Sequence, residues 1–159
     1  MTDSINAPRG LYFEDFAEGM ALETRGRTIS ETDIVQFAGL SGDFNPMHTD
    51  AVYSAGTQFG QRVAHGLLGL AIASGLSYQL GFLDGTVLAF TALEWKFRAP
   101  IFIGDTIHVA VKVTKKREMK AAGGGFVSFD VQVINQEDKV TQKGEWTVLI
   151  ASRPAEAGE

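Results

Sequence analysis

From residue 85 onward, apolar and polar side chains alternate with a period of two, the spacing of half-buried strands. Leu93, Trp95 and Phe97 share one face, with Glu94, Lys96 and Arg98 opposite. Ile107, Val109, Val111 and Val113 repeat the period, as do Val127, Phe129, Val131 and Val133, and then Trp146, Val148 and Ile150. Gly123-Gly124-Gly125 and Glu137-Asp138-Lys139 separate successive strands. Before Gly85 the pattern differs. Ser30-Glu31-Thr32-Asp33 has the form of a capping box with Asp33 in place of Glu, and predicts a short helix carrying Ile34, Val35, Phe37 and Ala38. Gly39 and Gly42 suit its end. From Gly66 to about Leu80, Leu67, Leu68, Leu70, Ala71, Ile72, Ala73, Leu76 and Leu80 form a helix that is apolar nearly all round, which predicts burial. One long buried helix with an antiparallel sheet is an α+β arrangement.

The 159 residues suffice for a single domain with its own core, spanning 1–159 with an ordered part at about 10–151. Residues 1–10 are polar, and 152–159 read as a frayed tail. The absence of cysteine excludes disulfides, thiolate metal sites and a cysteine nucleophile. No apolar run approaches the ~20 residues of a membrane-spanning helix. The N-terminus has neither a basic start nor an apolar core, so a cytoplasmic protein without a membrane partner is expected. The net charge of −5 argues against broad nucleic-acid binding. An anionic small ligand needs only a local basic patch. Lys96, Arg98, Lys112, Lys115, Lys116, Arg117 and Lys120 concentrate positive charge late in the chain, either as a solvated face or as an attraction for phosphates.

The segment Ser41-Gly-Asp-Phe-Asn-Pro-Met-His-Thr-Asp-Ala-Val-Tyr-Ser54 carries the candidate chemistry. Pro46 lacks a backbone N–H and disfavours helical geometry at Asn45, so the segment cannot run as one regular helix. A turn at Asn45-Pro46 can instead fold Asp43 and His48 toward one point, where they would hold a water or a substrate proton. Taken singly, Asp43 reads as an Asx-turn residue, His48 as a hydrogen-bonded loop histidine and Asn45 as turn chemistry. As metal ligands, Asp43, Asn45 and His48 are too few for a structural zinc site, and no metal is expected.

Gly42-Asp43-x-Asn45-Pro46-x-His48, with a small residue, Ser54, six positions on, resembles the signature of the hydratase 2 group: the (R)-specific enoyl-CoA hydratases and MaoC-like acyl dehydratases. Val63-Ala64-His65-Gly66-Leu67-Leu68 and Lys96-Phe97-Arg98-Ala99-Pro100-Ile101-Phe102-Ile103-Gly104-Asp105 resemble two further pieces of that family. Together they extend the likeness over about residues 30–150. Met47 departs from the family's usual Leu, Ile or Val, a volume-similar change.

The resemblance implies a hot-dog fold, a curved sheet wrapped around a central helix, and a homodimer. It implies reversible hydration of 2-enoyl-CoA, with Asp43 and His48 managing the protons of one water and the Gly66 N–H as oxyanion donor. Asn45 would shape the loop that aims Asp43. Ala73 and Ser74, about two turns past Gly66, would line the acyl tunnel, the alternative being close packing against the sheet. His65 reads as structural and His108 as solvated. Coenzyme A enters only as part of the thioester, with no redox cofactor. Two other readings stand beside this one. A hot-dog thioesterase usually carries its carboxylate on the long helix, and residues 67–80 contain no Asp or Glu. A non-catalytic acyl-CoA-binding module would have lost the Asp43–His48 pair.

Overall fold

The computed structural model describes residues 8–155. Among the described residues six strands and four α-helices follow in order: strands β1 (Ala21–Glu23) and β2 (Arg27–Thr28), helices α1 (Glu31–Ser41), α2 (Pro46–Thr49), α3 (Ala51–Ala55) and α4 (Gly66–Gln79), then strands β3 (Val87–Phe97), β4 (Thr106–Met119), β5 (Gly124–Ile134) and β6 (Val140–Ala151). The strands form one antiparallel sheet in the order β1-β4-β5-β6-β3, with β2 also on β4. Register shifts between Val113 and Lys115, and between Val133 and Ile134, interrupt the ladders. Such bulges bend strands and strengthen their twist. The sheet wraps α4, which is the hot-dog arrangement.

The alternation read from the sequence places the core. Ile107, Val109, Val111 and Val113 are buried, as are Val127, Phe129, Val131 and Val133, and Trp146, Val148 and Ile150. Leu68, Ala73 and Leu76 of α4 meet them from the other layer. No helix among the described residues is long and apolar enough to cross a membrane.

Several expectations need correction. Only one side of α4 is covered: Leu67 is 61% and Tyr78 64% exposed, and Ala71, Ser74 and Gly75 on the same stripe are also exposed. The run Ile107–Val113, by its alternation a candidate for a long apolar edge, is no sheet edge, because β4 has partners on both sides. The long edge strand is β3, which bares Leu88, Phe90, Leu93 and Phe97; the other end of the sheet is the three-residue β1. Gly39 lies within α1, which runs on to Ser41 and is capped by Gly42. Gly124 and Gly125 belong to β5 rather than to the turn. The expected polar N-terminal segment falls largely on residues outside the described range, but Gly10 N–H donates to the Gly81 carbonyl at 2.9 Å. At the other end, Ser152 and Arg153 are docked. Arg153 N–H donates to Glu14 Oε2 at 2.9 Å, and this bond holds the Glu14 carboxyl below its ordinary value. Residues 156–159 lie outside the described range.

Candidate active site

Local chain chemistry builds the motif loop step by step. Ser30 and Asp33 cap α1 reciprocally: Ser30 Oγ accepts from Asp33 N, and the Asp33 carboxylate accepts from Ser30 N at 2.8 Å. Arg27 adds an ion pair at 2.6 Å. Burial acts to raise the Asp33 pKa, but the hydrogen bonds from Ser30 and the contact with Arg27 outweigh it, so the carboxyl lies below its ordinary value. At the other end of α1, Gly42 takes φ 78°, a left-handed geometry that suits glycine, and its N–H closes on Ala38 O at 2.8 Å.

Asp43 Oδ1 then accepts from Asn45 N at 3.1 Å, and Asn45 Oδ1 accepts from Met47 N at 3.2 Å. The Asx turn expected of Asp43 is therefore present, and Asn45 caps α2. Pro46 does break the segment, by opening α2 at the first helical position, where its missing N–H costs nothing. Ser54, fully buried, donates from Oγ to the carbonyls of Pro46 and Met47, tying α3 onto α2.

These turns bring Asp43 and His48 together and add a third group. One carboxylate oxygen of Asp43 and one ring nitrogen each of His48 and His65 all lie within 4.8 Å of one another. Asp43 is exposed, whereas His48 and His65 are 7% and 2% exposed. His48 Nδ1 lies 2.7 Å from the Val63 carbonyl. A carbonyl only accepts, so Nδ1 carries the proton, and Nε2 of the neutral ring keeps its lone pair. By the same reasoning His65 Nε2–H donates to the backbone carbonyl of Asp43 at 2.9 Å. The two imidazoles stack with centroids 3.9 Å apart and planes inclined by 27°, and Phe37 covers His65 at 4.9 Å.

Asp43, His48 and His65 number three possible ligands, as many as the sequence offered, with His65 in the place of Asn45. The donor geometry fits a metal poorly. An imidazole nitrogen offers its lone pair in the ring plane. Two nearly parallel rings therefore direct their lone pairs side by side instead of at one ion.

His48 opens onto a cavity of about 670 Å³ that also contains Gly66, Leu67, Phe97, Arg98 and Gln142. Gly66 is the first residue of α4, and its N–H has no acceptor within the helix. A Cβ on Gly66 would fall 2.7 Å from Cε1 of Phe97, so a side chain there would have to displace the Phe97 ring. Asp43 stands beside this cavity without lining it. Ser74 does not share it: Ser74 lines a second cavity of about 400 Å³ toward the C-terminal half of α4. Ala73 lines neither cavity, being fully buried in the core against the sheet.

The MaoC like domain matches residues 15–137 of the chain. The chain belongs to the MaoC-like domain family. An (R)-specific enoyl-CoA hydratase from Rhodospirillum rubrum is 39% identical over 143 residues, covering 89% of this chain and 93% of that protein. Among solved structures, a protein from Archaeoglobus fulgius described as a monoamine oxidase regulatory protein superposes with a TM-score of 0.86 at 36% identity. That match covers 93% of this chain and 99% of the other. The R-hydratase PhaJ1 of Pseudomonas aeruginosa superposes with a TM-score of 0.77 at 29% identity, covering 94% and 95%.

In this MaoC-like domain two residues take a larger part than the sequence suggested. His65 contacts both members of the Asp43–His48 pair. Gln142 is buried, donates from Nε2 to the Gly66 carbonyl at 3.0 Å and accepts from Trp95 Nε1 at 3.0 Å. Its signal was in the sequence: stepping back by twos from Ile150, Val148 and Trp146 places polar Gln142 on the inward face of β6. Of the late cations, Arg98 lines the 670 Å³ cavity. Lys115 and Arg117 lie apart from it, in a shallow polar depression with Ser128 and Thr147. Lys116 is tied to the Phe13 and Phe16 carbonyls. His108 is partly buried and pairs with Glu23 at 3.2 Å instead of being simply solvated.

Proposed function

We propose that this chain is an (R)-specific enoyl-CoA hydratase, adding water reversibly across the C2–C3 double bond of 2-enoyl-CoA. The observation that carries the reading is the approach of the Asp43 carboxylate to His48 at a cavity that also holds the open N-terminus of α4.

Hydration puts hydroxyl on C3 and a proton on C2, and builds negative charge on the thioester oxygen. The Asp43 carboxylate and the bare His48 Nε2 are both acceptors, so a water between them donates one hydrogen to each and aims a lone pair at C3. One of the pair takes a proton as the C–O bond forms, and the same site returns a proton to C2. The Gly66 N–H meets the thioester oxygen, helped by the partial positive charge of the helix start; a donor of this kind is typically worth about 3–4 kcal/mol. Gln142 holds the Gly66 carbonyl and so fixes the peptide that follows it. No redox cofactor or metal enters these steps, and coenzyme A is part of the substrate. Thioester hydrolysis is the less favoured reading, since α4 carries no carboxylate beside the cavity.

The acyl group would run along α4 from Gly66 toward Ser74, roughly 12 Å away at the helical rise of 1.5 Å per residue. Leucine at Ser74 should then shorten the accepted chain while sparing crotonyl-CoA. The homodimer belongs to the same proposal. The open β3 edge and the bare stripe of α4 offer one apolar surface for a second copy, and an uncovered apolar edge is a liability for a monomer. Light scattering should give twice the 17.2 kDa chain mass. A stable monomer at micromolar concentration would reject the assembly. We place the protein in the cytoplasm, where coenzyme A thioesters are turned over. Following crotonyl-CoA by both double-bond absorbance and free thiol tests the activity: loss of absorbance without thiol release supports hydration, and thiol release would favour a thioesterase.

A further inference from the structure

The start of α4 is gripped from the sheet by one side chain, which is itself held by another. Gln142 of β6 is 2% exposed. Its amide has a partner at each end: Oε1 accepts from Trp95 Nε1 at 3.0 Å, and Nε2 donates to the Gly66 carbonyl at 3.0 Å. An indole N–H only donates and a carbonyl only accepts, so both partners select the same orientation of the amide. The backbone leaves room for this bridge. A Cβ on Gly69, three residues after Gly66, would collide with the Gln142 amide, and a Cβ on Gly144 would fall 2.8 Å from Cε3 of Trp95. Phe97, which faces Gln142 in the β3–β6 ladder, sets its ring against Gly66.

We propose that Gln142, oriented by Trp95, is a positioning residue for the oxyanion donor and acts through the Gly66 backbone. The proposal rests on the hydratase reading given above. Gly66 has no side chain to anchor it, and glycine loses more freedom on being fixed than any other residue. The peptide that carries the Gly66 N–H is held at its carbonyl, since His65 O accepts from Leu68 N at 3.0 Å and from Gly69 N at 3.2 Å. Gln142 holds the next peptide. Both peptide planes that meet at Gly66 are therefore fixed, and its N–H keeps one direction. A donor acts fully on a developing oxyanion only when its direction is set beforehand. Packing alone would be served by an apolar side chain at 142, like the buried Val148 and Ile150 farther along the inward face of β6.

The test compares the whole wild-type chain with Gln142→Met, Trp95→Phe and Gly69→Ala. Gln142→Met keeps the length of the side chain and removes both hydrogen bonds. On crotonyl-CoA it should lower kcat about 10- to 100-fold with KM within about twofold, the pattern of a donor displaced in the transition state. Trp95→Phe should lower kcat about threefold or more, and the double variant should be no slower than Gln142→Met, because the two residues act in series. Gly69→Ala suits a helix and keeps Gln142, yet its methyl pushes the amide aside, so it too should lower kcat. Butyryl-CoA labelled with carbon-13 at its carbonyl gives a readout that a packing role would not move. It has no double bond to hydrate, and binding to the wild type should lower its C=O stretching frequency. In the variants that band should return toward its value in solution. Unchanged kcat in Gln142→Met, or losses that track melting temperature while the bound band stays as in the wild type, overturns the proposal. Should Gln142→Met fail to fold, Trp95→Phe and Gly69→Ala decide by the same criteria. Hydration of crotonyl-CoA by the wild type with equal turnover in the variants defeats only this inference, and failure of the wild type on every enoyl-CoA defeats the hydratase reading with it.

Discussion

The imidazole of His48 lies flat on that of His65, with ring centroids 3.9 Å apart. His65 also donates to the backbone carbonyl of Asp43, so a single buried side chain holds both halves of the acid–base pair. It needs no contact with substrate to matter, since it fixes the plane of one group and the loop of the other.

His65→Leu should therefore lower kcat by about 10- to 100-fold with little change in KM, the pattern of a reacting group held slightly out of place. His65→Gln retains an N–H able to reach the Asp43 carbonyl and should recover part of the loss. Steady-state kinetics on crotonyl-CoA with matched melting curves check this. Equal losses in both variants, tracking stability, would reduce His65 to a packing residue.

Arg98 lines the cavity through an exposed stretch that follows β3. An exposed cation there can attract the phosphates of coenzyme A. Arg98→Ala should raise KM about two- to fivefold and leave kcat nearly unchanged, with the difference shrinking at high salt. Parallel KM measurements at low and high ionic strength check it; an unchanged KM would exclude Arg98 from phosphate binding.

The Asp33 carboxyl, held below its ordinary value of 3.8, gives stability a pH dependence of definite sign. The folded-state value is depressed, so the contribution is present above the ordinary value and is lost as pH falls through the folded value. Asp33→Ala should destabilise the protein by roughly 1 kcal/mol at neutral pH, the usual scale for a lost cap. That gap should narrow in acid below about pH 4, where the unfolded wild-type carboxyl takes up its proton. Denaturant titrations of both proteins across this range check the trend.

Much of the fold is legible in the sequence because alternation and burial share one cause. Val109, Val111, Val131 and Val133 face inward in the structure as their period of two requires. The turn that joins Asp43 to His48 is legible because proline and asparagine act locally. Neighbours distant in sequence were not. Nothing near Gly66 indicates that Gln142 will reach its carbonyl, since that contact spans 76 residues of chain. The uncovered face of α4 was misread for a related reason. An apolar helix reports that it will be covered and leaves open whether its own sheet or a second molecule covers it. The Ser74 cavity likewise depends on how Phe82 and Trp146 close around the helix end, which no spacing along α4 reveals.

The most direct measurement of the account's central claim is turnover of crotonyl-CoA by Asp43→Asn and His48→Gln beside the wild type. Each variant should fold with an unchanged circular dichroism spectrum and lose about 10²- to 10⁴-fold in kcat, the usual range for a general acid–base group. The double variant should be scarcely worse than either single one, because both act on one water. Near wild-type turnover by either folded variant would contradict the assignment of Asp43 and His48 as the pair that activates water.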